Sequence, residues 1–66
     1  MSRKDYERFA SILEDCPKEI EGAAREWIAV QMAKAFRADN SRFSPLRFFM
    51  AAGFDDSQAG EMVQKV

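Results

Sequence analysis

The side chains that most often do chemistry in proteins are sparse in this sequence. It contains no histidine and a single cysteine, Cys16, so neither a Ser–His nor a Cys–His nucleophilic pair can form. Pairs such as Glu14/Asp15 and Asp55/Asp56 fit helix ends better than acid–base sites, because sequential neighbours do not share a helix face. We therefore expect no catalytic site, no metal and no cofactor, and predict that the protein is not an enzyme.

Positive charge is concentrated in the middle of the chain. Residues 34–52 carry Lys34, Arg37, Arg42 and Arg47 against one acid, which gives +3, although the whole chain carries −1. The same block contains Phe36, Phe43, Phe48 and Phe49. Arginines interleaved with aromatics, as in residues 34–47, are one pattern of single-stranded nucleic-acid binding. We favour the alternative, in which the phenylalanines form the core and the arginines form a solvated face.

A second candidate surface is apolar. Met32 and Phe36 lie one helical turn apart and, if both project outward, form an adaptable apolar patch flanked by Arg25 and Ala29. Trp27 is predicted to anchor the core, with an interface position as the alternative. The residues that we select for partner contact are Met32, Phe36, Arg37, Arg42 and Arg47.

Helices must position these residues, because hydrophobic side chains recur at helical spacing and no stretch alternates as a strand would. The first helix is expected over residues 3–15, where Tyr6, Phe9, Leu13 and Cys16 share a face. The second is expected over residues 17–39, with Pro17 at the first helical position, which proline favours. We place on its apolar face Ile20, Ala23, Ala24, Trp27, Ile28, Val30, Gln31, Ala35 and Ala38.

Local signals specify the third helix, about residues 45–52. Ser44 is a good N-cap, and Phe43 and Phe48 have the spacing of a hydrophobic staple around it. At the other end, Gly53 suits the left-handed position that follows many helices.

The fourth helix follows at once. Phe54 is expected to fold back on Phe49, as in a Schellman motif. The N-cap of the fourth helix is Asp55 or Asp56, and Gln58 completes a capping box if Asp55 is the cap. Residues 45–65 therefore resemble a helix-turn-helix. The second helix of that unit is acidic, so a simple helical corner is favoured over a DNA reader.

The fold class that these elements predict is all-α: a compact bundle of three to four short helices around a longer central helix, residues 17–39. One domain of 66 residues is expected to bury only about 60% of its unfolded surface, so its eight aromatics exceed what a small core needs. We find no membrane-length apolar run and no signal peptide, and expect a cytoplasmic, reduced compartment.

Short motifs near both ends resemble a group of very small proteins encoded by bacteriophages, prophages and plasmids. They are Arg3-Lys4-Asp5-Tyr6-Glu7, Asp39-Asn40-Ser41-Arg42-Phe43, Arg47-Phe48 and Ala51-Ala52-Gly53-Phe54. The usual pattern of the group has Asn-Pro-Arg-Phe, a second Arg-Phe, and Ala-x-Gly or Ala-Cys-Gly. This chain departs from it with Ser41 in place of the proline and Ala52 in place of the cysteine. The resemblance implies a mobile-element origin, no agreed activity and no catalytic residues. Small phage proteins often bind and block host proteins, including defence systems.

We predict a non-enzymatic helical module that binds a host or phage protein, as an inhibitor of a host process or defence system. One alternative is a nucleic-acid-binding or regulatory protein that uses residues 34–47 or the helix-turn-helix-like residues 45–65. Another is a self-associating structural protein, with a homodimer formed through the second helix.

Overall fold

Four helices in sequence make up the part of the chain that the structure describes. The structure is a computed structural model that describes residues 3–15, 17 and 22–66. The helices are α1 (Arg3–Glu14), α2 (Gly22–Asp39), α3 (Pro45–Ala51) and α4 (Asp56–Val63), and no described residue is in a strand. The predicted all-α bundle with one longer helix is confirmed. The Cα radius of gyration, 10.8 Å, is that of a compact chain of this length, about 11 Å.

The start of α2 differs from the prediction. Pro17 is not helical, so it is not the first helical residue, and the described helix begins at Gly22. The predictions for Cys16 and Ile20 lie outside the described residues. The sequence predicts Gly22 inside the second helix, where close approach of a neighbouring helix would explain a glycine. No described atom lies within 4 Å of where its Cβ would be, so that prediction is wrong. Gly22 is exposed at the start of the described helix.

The boundaries of α3 follow the local signals. The side chain of Ser44 accepts a hydrogen bond from the backbone N–H of Arg47, and the rings of Phe43 and Phe48 lie 5.8 Å apart as a staple. At the C-terminus, Gly53 adopts φ +96° and the Phe54 N–H donates to the Phe49 carbonyl at 3.1 Å. This is the predicted Schellman ending.

Short polar side chains set the remaining turns. Asn40 Oδ1 accepts from the N–H of Arg42 at 3.0 Å, an Asx-turn that redirects the chain after α2. Asp55 Oδ1 accepts from the N–H of Gln58 at 2.7 Å and caps α4. The second helix therefore ends at residue 39, as predicted, and Asp55 is the N-cap of the fourth helix.

An aromatic cluster fills the core. Phe36 lies at its centre, with ring centroids 4.9 Å from Tyr6, 5.4 Å from Phe43 and 5.3 Å from Phe48. Phe49 is fully buried beside it. The short α3 supplies two of these rings and contacts each of the other three helices, so it holds the bundle together at its centre.

Arg25, near the start of α2, joins the ends of two other helices. Its Nε donates to the Leu13 carbonyl at 2.9 Å, and its Nη2 donates to the Ala52 carbonyl. The guanidinium also lies 4.3 Å from the ring centroid of Phe54. It thus satisfies carbonyls at the C-terminal ends of α1 and α3, which lack partners within their own helices. A Cβ on Gly53 would lie 2.8 Å from Nη2, so glycine also makes room for this contact.

Candidate functional site

The predicted partner-binding residues divide between separate parts of the molecule. Arg42 and Arg47 line one surface cleft of about 420 Å³ between α1, the α2–α3 turn and α3. Arg37 is exposed on α2 but does not line this cleft. The structure therefore brings two of the three selected arginines together in one cleft and leaves the third apart.

The prediction that Met32 and Phe36 form an exposed apolar patch is wrong. Phe36 is only 6% exposed and lies at the centre of the aromatic cluster, while Met32 is partly buried against the same core. Of the flanking residues, Ala29 is fully buried and Arg25 is the helix-end contact described above. This side of α2 faces the core because Phe36 packs against both α1 and α3 rings.

Trp27 was predicted in the core, and this is also wrong, because the residue is 64% exposed. The apolar face assigned to α2 is rotated away from the buried one. Ala29, Val30, Ala33 and Phe36 are buried, whereas Ala23, Ala24, Ala35 and Ala38 are exposed. Eight of the residues assigned to that face are described, and of these only Val30 is buried, while Ile28 is half-buried against the core.

The exposed face of α2 is therefore apolar and centres on Trp27. It comprises Ala23, Ala24, Trp27, Ala35 and Ala38, with the half-buried Ile28 and Gln31 among them and Lys34 as its one charge. A hollow of about 310 Å³ beside Trp27 is also lined by Val30, Lys34 and Lys65. Lys65 Nζ lies 3.3 Å from Glu26 Oε1, so the charge of Lys65 is partly neutralised. Lys34 adds positive charge to the rim of the hollow. We call this the Trp27 face.

The cleft that Arg42 and Arg47 line differs from the Trp27 face, because it has apolar walls and a charged rim. Its lining residues are Arg3, Tyr6, Glu7, Ala10, Asn40, Arg42, Phe43, Ser44, Arg47, Phe48 and Ala51. Three arginines face one glutamate there, and that glutamate lies 3.5 Å from the Nε of Arg3. Neither Arg42 nor Arg47 has an ion-pair partner among the described residues. We call this the arginine cleft.

Sequence reasoning missed that distant motifs meet in this cleft. Arg3, Tyr6 and Glu7 come from the first motif that carries the phage-protein resemblance, and Asn40, Arg42 and Phe43 come from the second. The shared arginine–aromatic character of the two motifs was the available signal. The contacts of Arg25 with two helix ends were missed as well, because they join residues 12 and 27 positions apart in the sequence.

The phenylalanines of the basic-aromatic block are not available to stack on bases. Phe43, Phe48 and Phe49 are buried, as is Phe36, and they contact one another edge-on or tilted. Residues 45–65 do form two short helices joined by a turn. The second, α4, exposes Asp56 and Glu61 and follows the exposed Asp55, an unfavourable charge for a phosphate backbone.

Two kinds of feature are absent from residues 3–15, 17 and 22–66: a metal-binding cluster and a membrane-spanning helix. This part of the chain has no group of three His, Cys, Asp or Glu residues arranged to hold a metal. None of its helices combines the length and apolar character that crossing a bilayer requires.

Comparison with known proteins identifies no relative of this chain. No protein-family model matches it, and neither a curated protein nor a solved structure shows significant similarity to it.

Proposed function

We propose that this protein is a non-enzymatic helical binding module that acts by docking on a partner protein. The observation that carries the proposal is the Trp27 face: a large aromatic side chain, 64% exposed, on a helix whose other exposed side chains nearby are mostly alanine. Tryptophan is among the residues that most often dominate the energy of an interface.

The form of the face indicates what kind of partner would fit. From Ala23 to Ala38 it extends about 22 Å along α2, and its alanines allow a second helix to approach closely. Lys34 beside Trp27 gives the rim a positive charge. The partner that fits best presents an apolar helix or groove with an acidic edge, with Trp27 inserted as the central anchor.

The biological setting belongs to the same proposal and rests on the phage-protein resemblance. On that basis the partner is a host protein in the cytoplasm, and docking blocks a host process or defence system. Inhibition by docking needs no catalytic group, only occupancy of a surface that the host protein requires.

Affinity capture with matched variants tests the proposal. Wild-type protein, Trp27→Ala and Ile12→Ala are used as baits for host lysate, because Ile12 is a comparably exposed apolar residue, 54% exposed, on α1. We expect a protein that wild type and Ile12→Ala retain and Trp27→Ala loses. Its affinity, measured by calorimetry, should fall at least about 30-fold, which corresponds to a hot spot of about 2 kcal/mol.

The control is that all three baits are equally folded by circular dichroism. If Trp27→Ala retains the same proteins as wild type, the Trp27 face is not the docking surface and the proposal fails in this form.

A second candidate function is self-association, and the register of α2 favours it. In an antiparallel pair centred on Gln31, Trp27 of one copy lies opposite Ala35 of the other, and Ala24 lies opposite Ala38. The large Trp27 then meets the small Ala35, and alanine meets alanine at the next contact, across a two-fold axis. Sedimentation velocity over a wide concentration range tests this: a dimer that Trp27→Ala abolishes supports it, and a monomer at every concentration eliminates it.

A further inference from the structure

One lining residue of the arginine cleft, Tyr6, carries a polar atom whose hydrogen bonding is incomplete within the described part of the chain. The hydroxyl of Tyr6, a lining residue of the cleft, is buried and has no hydrogen-bond partner there. Buried hydroxyls are nearly always paired, because burial without a partner is costly. The Tyr6 ring is held in place by Phe36 and Phe43, with centroids 4.9 and 4.7 Å away. The core therefore fixes the hydroxyl at this position.

The charges around the cleft have one sign in excess. Arg3 comes from α1, Arg42 from the α2–α3 turn and Arg47 from α3, and all three line the same cleft. Glu7 offsets one of them through its contact with Arg3. Arg42 and Arg47 remain exposed, and arginine presents donors in a fixed fork that matches carboxylate and phosphate oxygens.

The walls of the cleft add a requirement for apolar surface. Ala10, Phe43, Phe48 and Ala51 line it together with the ring of Tyr6, and its volume of about 420 Å³ lies within the range of small-molecule sites. An inorganic ion would leave these walls uncovered. A ligand with one charged end and an apolar body would cover them and also satisfy the arginines.

We propose that the arginine cleft is a binding site for a small oxyanion, a phosphate or carboxylate group, carried on an apolar body. Arg42 and Arg47 bind the anionic group from the rim. Because the Tyr6 hydroxyl is buried in the free protein, side chains of the cleft must shift as the ligand enters, and the hydroxyl then donates a hydrogen bond to one oxygen of the anion. This site does not depend on the Trp27 face.

Calorimetry with phenyl phosphate and phenylacetate tests the site at low ionic strength, with benzyl alcohol as the uncharged control. We expect at least one anion to bind and benzyl alcohol to bind at least about tenfold more weakly. Tighter binding of phenyl phosphate assigns phosphate as the preferred group, and tighter binding of phenylacetate assigns carboxylate. If neither anion binds more tightly than benzyl alcohol, the proposal is overturned.

Two variants locate the binding. Arg42→Gln/Arg47→Gln should weaken the better anion at least about tenfold, whereas Arg37→Gln, an exposed arginine outside the cleft, should change its affinity less than about twofold. Equal losses in both would show that binding follows overall charge and would overturn the site.

Tyr6→Phe tests the contribution of the hydroxyl to binding separately from that of the arginines. It should raise the melting temperature of the free protein, because an unpaired buried hydroxyl is removed, and should weaken the anion about threefold or more. Unchanged affinity would overturn the role of Tyr6 in the site.

Discussion

The two sides of α2 contrast sharply although both are largely apolar. One side carries Arg25, Ala29, Ala33 and Phe36, and it packs on the other helices. The other carries the Trp27 face, with alanines around the one tryptophan of the chain. The buried side includes an arginine and the exposed side includes the largest aromatic. In a chain this small, apolar character alone therefore does not decide which side of a helix becomes core.

What decides it is complementarity with neighbouring helices. Ala29 and Ala33 are fully buried because small side chains let α2 lie close to its neighbours. Arg25 is partly buried because two helix ends present carbonyls to it. Trp27 is not enclosed in this way and stays 64% exposed, which is why we propose that a partner covers it.

The largest expected effect is at the centre of the buried side. Phe36→Ala should destabilise the protein by about 3–5 kcal/mol, because it removes a ring that contacts Tyr6, Phe43 and Phe48. A core of this size supplies roughly 3–5 kcal/mol in total, so the variant should be largely unfolded by circular dichroism at 25 °C. A cooperative urea transition close to that of wild type would contradict the central position of Phe36.

Arg25→Ala should come next, with a loss of about 2–3 kcal/mol. The substitution leaves the Leu13 and Ala52 carbonyls without their partner and removes the contact with Phe54. Arg25→Lys should recover only part of the loss, since one ammonium cannot reproduce the guanidinium fork. Urea midpoints give these values, and a neutral Arg25→Ala would show that the two helix ends hold together without it.

A matched pair of alanines measures the difference between the two sides directly. Ala33→Leu should cost about 1–3 kcal/mol, because Ala33 is fully buried and the added carbons overpack the core. Ala35→Leu, two residues away and exposed, should stay within about 0.5 kcal/mol of wild type. Equal losses in thermal and urea melts would mean that the two sides are not distinguished by packing.

The smallest effect on stability should come from the most conspicuous residue. Trp27→Ala should change the free energy of unfolding by no more than about 0.5 kcal/mol, because the side chain is mostly solvent-exposed. Its effect should instead be on partner binding. A loss above about 2 kcal/mol in urea denaturation would place Trp27 in the fold and not at an interface.

Elements with local signals could be predicted from the sequence. The N-caps Ser44 and Asp55 act on N–H groups three residues ahead, and Gly53 acts on the helix it follows, so each can be recognised within a few residues. The all-α class follows from the same short-range periodicity.

The rotation of α2 and the composition of the cleft could not be predicted in the same way. Alanines are spread around the circumference of α2, so they do not mark one apolar face. The prediction placed Trp27 on the buried side, which turned the predicted face away from the one that is buried. The charged Arg25 interrupts the stripe of residues that is buried in the structure. The cleft contains the predicted Arg42 and Arg47, but Arg3 and Tyr6 reach it only through the packing of α1 on α3. Such contacts between distant residues leave no local pattern.

The separation of the single tryptophan from the aromatic core gives the protein a built-in optical reporter. Phe36 and its neighbours are enclosed, while the only indole in the chain is at the surface. Its fluorescence should respond little to the state of the core and strongly to anything that covers α2. A blue shift of the emission on mixing would reveal docking without any label, and quenching by iodide would measure how much of the indole a partner shields.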